Sequence, residues 1–164
     1  IAKTATLEAN VTLHGIVRIE AGAVIKSGAV LEGPCCIGEK SYVGNNSLVR
    51  SYTSIAKKCS VGSGVELKNC VVMENTQIGR LSFIGDSVLG ENVDMGAGCM
   101  TVNRNIDWKP ISVKNGKGPI NTGLKKLGAF LGDGVVVGAG NTLQPGTVIA
   151  PGKTIPACYS VKQK

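Results

Sequence analysis

One stretch concentrates side chains able to do chemistry: Arg80-Leu81-Ser82-Phe83, then Asp94, Gly96-Ala97-Gly98-Cys99 and Asn103. A basic segment follows, in which Arg104, Lys109, Lys114, Lys117, Lys125 and Lys126 face a single acid, Asp107. Eighteen basic residues against eleven acidic ones give a formal charge of +7, an excess that attracts anions. Aromatic residues make up 4% of the chain and no RNA- or DNA-binding motif occurs, so small phosphates are the expected partners and nucleic acid is not. The only histidine, His14, directly follows an aliphatic residue of the repeat and is expected to face solvent without a catalytic role. The six cysteines have no CxxC spacing, and Cys35 and Cys59 occupy inward repeat positions. Buried free thiols in a reducing cytoplasm are therefore expected, with neither disulfides nor a metal site.

These residues are carried on a six-residue ladder. An aliphatic side chain returns at Ile1, Leu7, Leu13, Ile19, Ile25, Leu31, Ile37, Val43, Val49, Ile55, Val61 and Leu67 without a miss. Four residues after each rung stands a small or compact residue, such as Ala23, Ala29, Cys35, Ser41, Ser47 and Thr53. Neither the 3.6-residue helical period nor two-residue alternation produces this step. It fits an all-β parallel β-helix of short flat strands, three hexads to a triangular coil, with Gly22, Gly28, Pro34, Asn46 and Gly64 in one corner phase. The ladder slips by one residue after Leu67 and again after Ile84, and such slips predict corners that are wider or functional. It is lost from Arg104 to about residue 128, an excursion carrying Pro110, Gly118-Pro119 and the only tryptophan, Trp108. It resumes at Leu131 and runs to Val161, so the excursion reads as an irregular arm inserted into one domain spanning residues 1–164. The spacing predicts about seven coils and a prism on the order of 35 Å tall. The polar tail Lys162-Gln163-Lys164 is expected to fray.

No apolar run reaches membrane-spanning length and no charged-then-apolar leader is present, so a cytoplasmic protein without a membrane partner is expected. Ile1 is already in phase with the repeat and no initiator Met precedes it. A fragment lacking an upstream portion is expected, because the first coil of a β-helix needs a cover.

From about Gly33 to Ala157 the chain resembles the C-terminal domain of bifunctional N-acetylglucosamine-1-phosphate uridylyltransferase/glucosamine-1-phosphate acetyltransferases. It is more similar still to archaeal-type sugar-1-phosphate nucleotidylyltransferases. The resemblance rests on Val65-Glu66-Leu67-Lys68, Ile84-Gly85-Asp86, Gly96-Ala97-Gly98 and Thr122-Gly123-Leu124-Lys125-Lys126-Leu127-Gly128. It implies a left-handed β-helix that forms a homotrimer, intersubunit clefts binding acetyl-CoA and a sugar phosphate, and an upstream nucleotidylyltransferase domain. By the same resemblance Arg50, Lys68, Phe83, Lys109 and Lys126 fall at substrate-binding positions. Asn103 falls where the amine and acetyl donor are supported, and Ala139 and Ala157 where backbone groups meet the pantetheine arm.

The chain departs from that pattern in its reactive positions. Where the family has His-Leu-x-Tyr, this chain has Arg80-Leu81-Ser82-Phe83, placing Arg80 and Phe83 three apart on one short strand beside the corner bearing Asp94. An arginine stays protonated and offers no lone pair, so Arg80 at the catalytic position cannot act as a base. Asp94 stands where asparagine is common and is able either to accept the amine's proton or simply to cap the turn at Asn92-Val93. Cys99 is expected to be a packed small residue. Two functions remain open: acetyl transfer from acetyl-CoA to an amino-sugar phosphate, with Arg80, Asp94 and Asn103 as the catalytic set, or a trimerising and regulatory scaffold for a sugar-1-phosphate nucleotidylyltransferase.

Overall fold

Short strands of two or three residues stack into three parallel sheets of eight, eight and seven strands in the computed structural model, which describes residues 1–114, 118–158 and 160–161. Gly116 and Lys117 of the arm and the Lys162-Gln163-Lys164 tail lie outside the described residues. The first face carries the inward rungs Leu7, Ile25, Val43, Val61, Ile78, Met95, Val137 and Ile155. The second carries Leu13, Leu31, Val49, Leu67, Ile84, Thr101 and Leu143, and the third Ile19, Ile37, Ile55, Val72, Leu89, Leu131 and Ile149. The interior is a column of Ile, Leu and Val, with Ile25, Leu31, Ile37, Leu67 and Ile84 fully buried.

There are about eight coils, not the seven expected from the ladder. Aliphatic rungs alone undercount by one strand, because Thr101 is also an inward rung. It is fully buried, and its hydroxyl accepts from Gly85 N at 2.8 Å and meets Ser87 Oγ at 3.1 Å, so its polarity is satisfied inside the prism. The other small inward positions are similarly occupied: Ser41 Oγ donates to Ala56 O at 2.7 Å and Thr76 Oγ1 to Gly90 O at 2.7 Å.

The slips correspond to tighter corners, which corrects the expectation of wider ones. In the lower coils Thr6 pairs with Val24 and Val24 with Tyr42, each eighteen residues on. Ser60 pairs with Gln77 and Gln77 with Asp94, each seventeen on. The missing residue lies at the corner joining the second face to the third, hereafter the arm corner. There Asn69 at φ 51° and Asp86 at φ 50° each turn the chain in one left-handed step. Asx residues adopt that conformation more readily than other side chains. The arm leaves the next coil at the same corner, so Asp94 pairs with Val136 across the insertion. It is less irregular than its composition suggests, since Ser112–Lys114 and Pro119–Asn121 form an antiparallel pair and Ile111 is buried.

All six cysteines are unpaired; Cys35, Cys59, Cys70 and Cys99 are buried, while Cys158 is exposed. Burial pushes the Cys35 and Cys70 thiols up to about 11, and those of Cys59 and Cys99 upward as well. Because the thiolate is the reactive form, iodoacetamide at pH 8 should label Cys158 first and reach the four buried thiols only after denaturation. Mass spectrometry of peptides from the native protein checks this, and labelling of Cys70 as fast as Cys158 would contradict the closed core.

Candidate functional site

The residues singled out by the sequence separate onto two corners of the prism. At the arm corner, coils of seventeen residues place Asn69, Asp86 and Asn103 directly above one another. Asn69 Nδ2 donates to Asp86 Oδ1 at 2.8 Å, and Asn103 Nδ2 donates to Asp86 Oδ2 at 2.5 Å. The Lys68 ammonium lies 3.6 Å from the same Oδ2, with 23% of its side chain and 9% of the Asp86 side chain exposed. The Phe83 ring leans over Gly85, where an added Cβ would come within 2.7 Å of Phe83 Cζ and 2.9 Å of Asn103 Nδ2. Only a glycine lets the ring and the amide converge there.

The arm closes this group from above. It leaves after Asn103 and returns with Leu127 N donating to Asn103 O at 2.9 Å and Gly128 N donating to Asp86 O at 2.7 Å. Beneath, the buried Ser87 hydroxyl donates to Gly85 O at 2.7 Å and accepts from Ala129 N at 2.9 Å. The corner is thus fixed from the core side and from the arm side.

Arg50 sits one coil below Lys68 on this corner, its Nη1 donating to Glu66 Oε1 at 3.0 Å and its Nε 3.9 Å from Glu32 Oε2. Both cations expected to hold a phosphate are therefore already matched by carboxylates. On the arm, Lys109 lies 3.0 Å from Asp107 Oδ2 and holds that carboxyl below its usual range, while Arg104 stacks 4.7 Å from the Trp108 ring centroid. Lys126 is exposed. A cavity of about 700 Å³ opens at the root of the arm between Val102, Arg104, Lys109 and Gln144.

The corner joining the first face to the second carries the remaining residues. Backbone bonds stack Arg80, Ala97, Ala139 and Ala157 in one column: Gly98 N donates to Arg80 O, Gly140 N to Ala97 O and Cys158 N to Ala139 O, at 2.7–2.9 Å. Above Arg80 the column bears only the methyl groups of Ala97, Ala139 and Ala157. Leu81 makes the left-handed turn here at φ 59°, where Gly64 and Gly98 make it in the coils below and above. A leucine in that conformation is strained, and the strain lies next to Arg80. Asp94 shares with Arg80 an open cleft of about 460 Å³ that Tyr42, Ser60, Ser63 and Gln77 also line. Neither Arg80 nor Asp94 belongs to an ion pair among the described residues.

Several expectations need correction. Arg80 and Phe83 do not share a strand: Arg80 is a corner residue, and Phe83 begins the strand Phe83–Gly85 on the next face. Asp94 does not cap a turn, because it is a strand residue facing outward between Gln77 and Val136. Arg80, Ala139 and Ala157 occupy one corner with Asp94 on the strand beside it, whereas Arg50, Lys68 and Asn103 occupy the other, toward which the Phe83 ring leans from its strand, so one chain does not bring the proposed catalytic set together. His14 is exposed and Cys99 is buried, as expected. Asp86 and Asn69 are the residues for which the sequence suggested no role. Their signal is the recurrence of Asx two residues after Leu67, Ile84 and Thr101.

Residues 31–164 match the family described as the GMPPB C-terminal domain. The chain is 45% identical over 144 residues to a bifunctional sugar-1-phosphate nucleotidylyltransferase/acetyltransferase of Sulfurisphaera tokodaii, covering 87% of this chain and 36% of that protein. It is 46% identical over 143 residues to the bifunctional protein GlmU of Methanocaldococcus jannaschii, covering 87% of this chain and 35% of that one. The chain thus spans about a third of the length of these relatives. Among solved structures, a hexapeptide transferase family protein from Anaplasma phagocytophilum has the same fold, with a TM-score of 0.65 at 17% identity over 88% of this chain and 76% of that chain. With more than three quarters of its residues matched, the chain belongs to the GMPPB C-terminal domain family.

Proposed function

We propose that the chain is an acyltransferase domain that moves an acetyl group from acetyl-CoA to the amine of an amino-sugar phosphate in nucleotide-sugar synthesis in the cytoplasm. The observation that carries this reading is the built corner of Lys68, Phe83, Asp86 and Asn103, roofed by the arm and present in a chain 45% identical to a named acetyltransferase. No helix among the described residues is long and apolar enough to cross a membrane.

The split of the residues over two corners suggests how the site is completed. A homotrimer would set the Arg80 corner of one subunit against the arm corner and arm of its neighbour. The alanine column then offers backbone groups to the pantetheine arm, and its lower end delivers the thioester to Arg80. The amine nitrogen attacks the thioester carbonyl, the C–S bond breaks, and the thiolate leaves and is protonated by solvent. Arg80 cannot take the amine's proton, but its N–H groups can donate to the oxyanion that forms on the carbonyl. Asp94, in the same cleft, accepts the proton directly or through water. Losing an imidazole base costs about 10²–10⁴-fold, so the domain is a weak catalyst in this reading.

A second reading is favoured by one group of contacts. Arg50 and Lys68 are matched by Glu66, Glu32 and Asp86, and the histidine and tyrosine positions hold Arg80 and Phe83. In a trimerising or regulatory domain the corner would need no further charge to spare for a phosphate.

Light scattering should give a trimer in solution, and a concentration-independent monomer would remove the intersubunit site. Replacing residues 104–127 by a short Gly-Ser turn should abolish acetyl-CoA and sugar-phosphate binding while leaving the far-ultraviolet β signal intact; unchanged binding would make the arm purely structural. The double substitution Arg80→His, Phe83→Tyr should raise glucosamine-1-phosphate acetylation by about 10²-fold, measured as thiol release from acetyl-CoA. A parent chain already turning over several times per second would contradict the cost assigned to the missing histidine.

A further inference from the structure

We propose that Asp86 is a positioning residue that turns the Asn103 carbonyl oxygen, and not its NH₂ group, toward the ligand, so that this corner recognises an N–H donor: the acceptor amine. This deepens the acyl-transfer reading and rests on it for the identity of the ligand. An ionised carboxylate only accepts hydrogen bonds. With Asn103 Nδ2 bound to Asp86 Oδ2 at 2.5 Å, the amide orientation is set, and its Oδ1 is directed away from the carboxylate. Asn69 Nδ2 on Oδ1 at 2.8 Å and the Lys68 ammonium 3.6 Å from Oδ2 hold the carboxylate itself in place.

The charge at this position is not required by the turn. Asn69, Asn75 and Asn92 make equivalent left-handed steps with neutral side chains, at φ 51°, 58° and 55°. A carboxylate only 9% exposed carries a desolvation cost that an asparagine at this turn would avoid, so its presence here needs another purpose. The geometry supplies one, because two amides and an ammonium converge on it. A neutral Asn103 oxygen can hold one N–H of an amine while leaving the nitrogen lone pair free to attack, which is orientation without proton removal.

The test uses the full chain and its Asp86→Asn variant. Asparagine fits the same turn, so the melting temperature should stay within a few degrees. The side-chain amide resonances of Asn103, assigned by their disappearance in Asn103→Ser, should shift in Asp86→Asn because their acceptor is gone. For acetylation of glucosamine-1-phosphate, kcat/KM should fall about 10²-fold, mostly in kcat. The exchanged pair Asp86→Asn, Asn103→Asp restores one donor, one carboxylate and an outward oxygen, and should recover at least about tenfold of the loss. Unshifted Asn103 resonances, or unchanged kcat/KM in an active chain, would overturn the proposal; so would loss of cooperative unfolding in Asp86→Asn, which would assign the carboxylate to folding. If the parent shows no acetyl transfer, the enzyme reading fails separately, and the resonances alone decide the role of Asp86.

Discussion

The hydrogen-bond register between successive coils is the constraint on which everything else depends. Parallel strands only two or three residues long have few bonds each, so the prism holds only if every coil repeats the last at a spacing of about 4.8 Å. Residues eighteen apart, or seventeen in the shortened coils, are thereby forced onto one another. A side chain's neighbours above and below follow from its position in the repeat, and a column of like residues becomes a structural feature: Ile, Leu and Val inside, alanines along one corner, Asx residues along another. The same register explains why an arm of more than twenty residues is tolerated. Asp94 still pairs with Val136, so the ladder closes over the insertion as if it were absent.

Shortening two coils at one corner couples this register to chemistry. A three-residue corner such as Arg50-Ser51-Tyr52 spaces its side chains apart, whereas the two-residue corners Lys68-Asn69 and Gly85-Asp86 bring a side-chain oxygen and two amides within hydrogen-bond distance in successive coils. The cost is a carboxylate largely withdrawn from water, offset by three donors. The buried hydroxyls of Ser87 and Thr101 anchor the same turn from the core, bonding Gly85 and Ala129 where the ladder alone would leave groups unpaired.

The strands and the interior are legible in the sequence because period, side-chain size and burial agree at each aliphatic rung. Legibility fails where a polar residue takes an apolar role. Thr101 is an inward rung satisfied by local hydrogen bonds, and omitting it drops one strand, a third of a coil, from the count. The five-residue steps are visible as slips, but only the left-handed φ of Asn69 and Asp86 shows that a corner has lost a residue. The antiparallel pair in the arm has no apolar alternation to announce it, since its exposed residues include Ile120. The candidate residues are individually legible by resemblance. Their division between two corners is not, because Arg80 lies in one corner while Phe83 opens the strand that leads to the other, its ring leaning over Gly85.

The electrostatics of the two corners bear on how a zwitterionic substrate would lie. At the arm corner the cations Arg50 and Lys68 face three carboxylates, Glu32, Glu66 and Asp86. A phosphate gains little there without displacing a partner, whereas an ammonium or amine meets an environment that favours it. Among the described residues, positive charge outside any ion pair is found instead at Arg80 on the opposite corner and along the arm, where Lys109 is matched by Asp107 and Lys126 is exposed. Under the proposed acyl transfer, the amine is therefore held against Asn103, and the phosphate points toward the arm. That orientation reverses the assignment in which Arg50 and Lys68 take the phosphate.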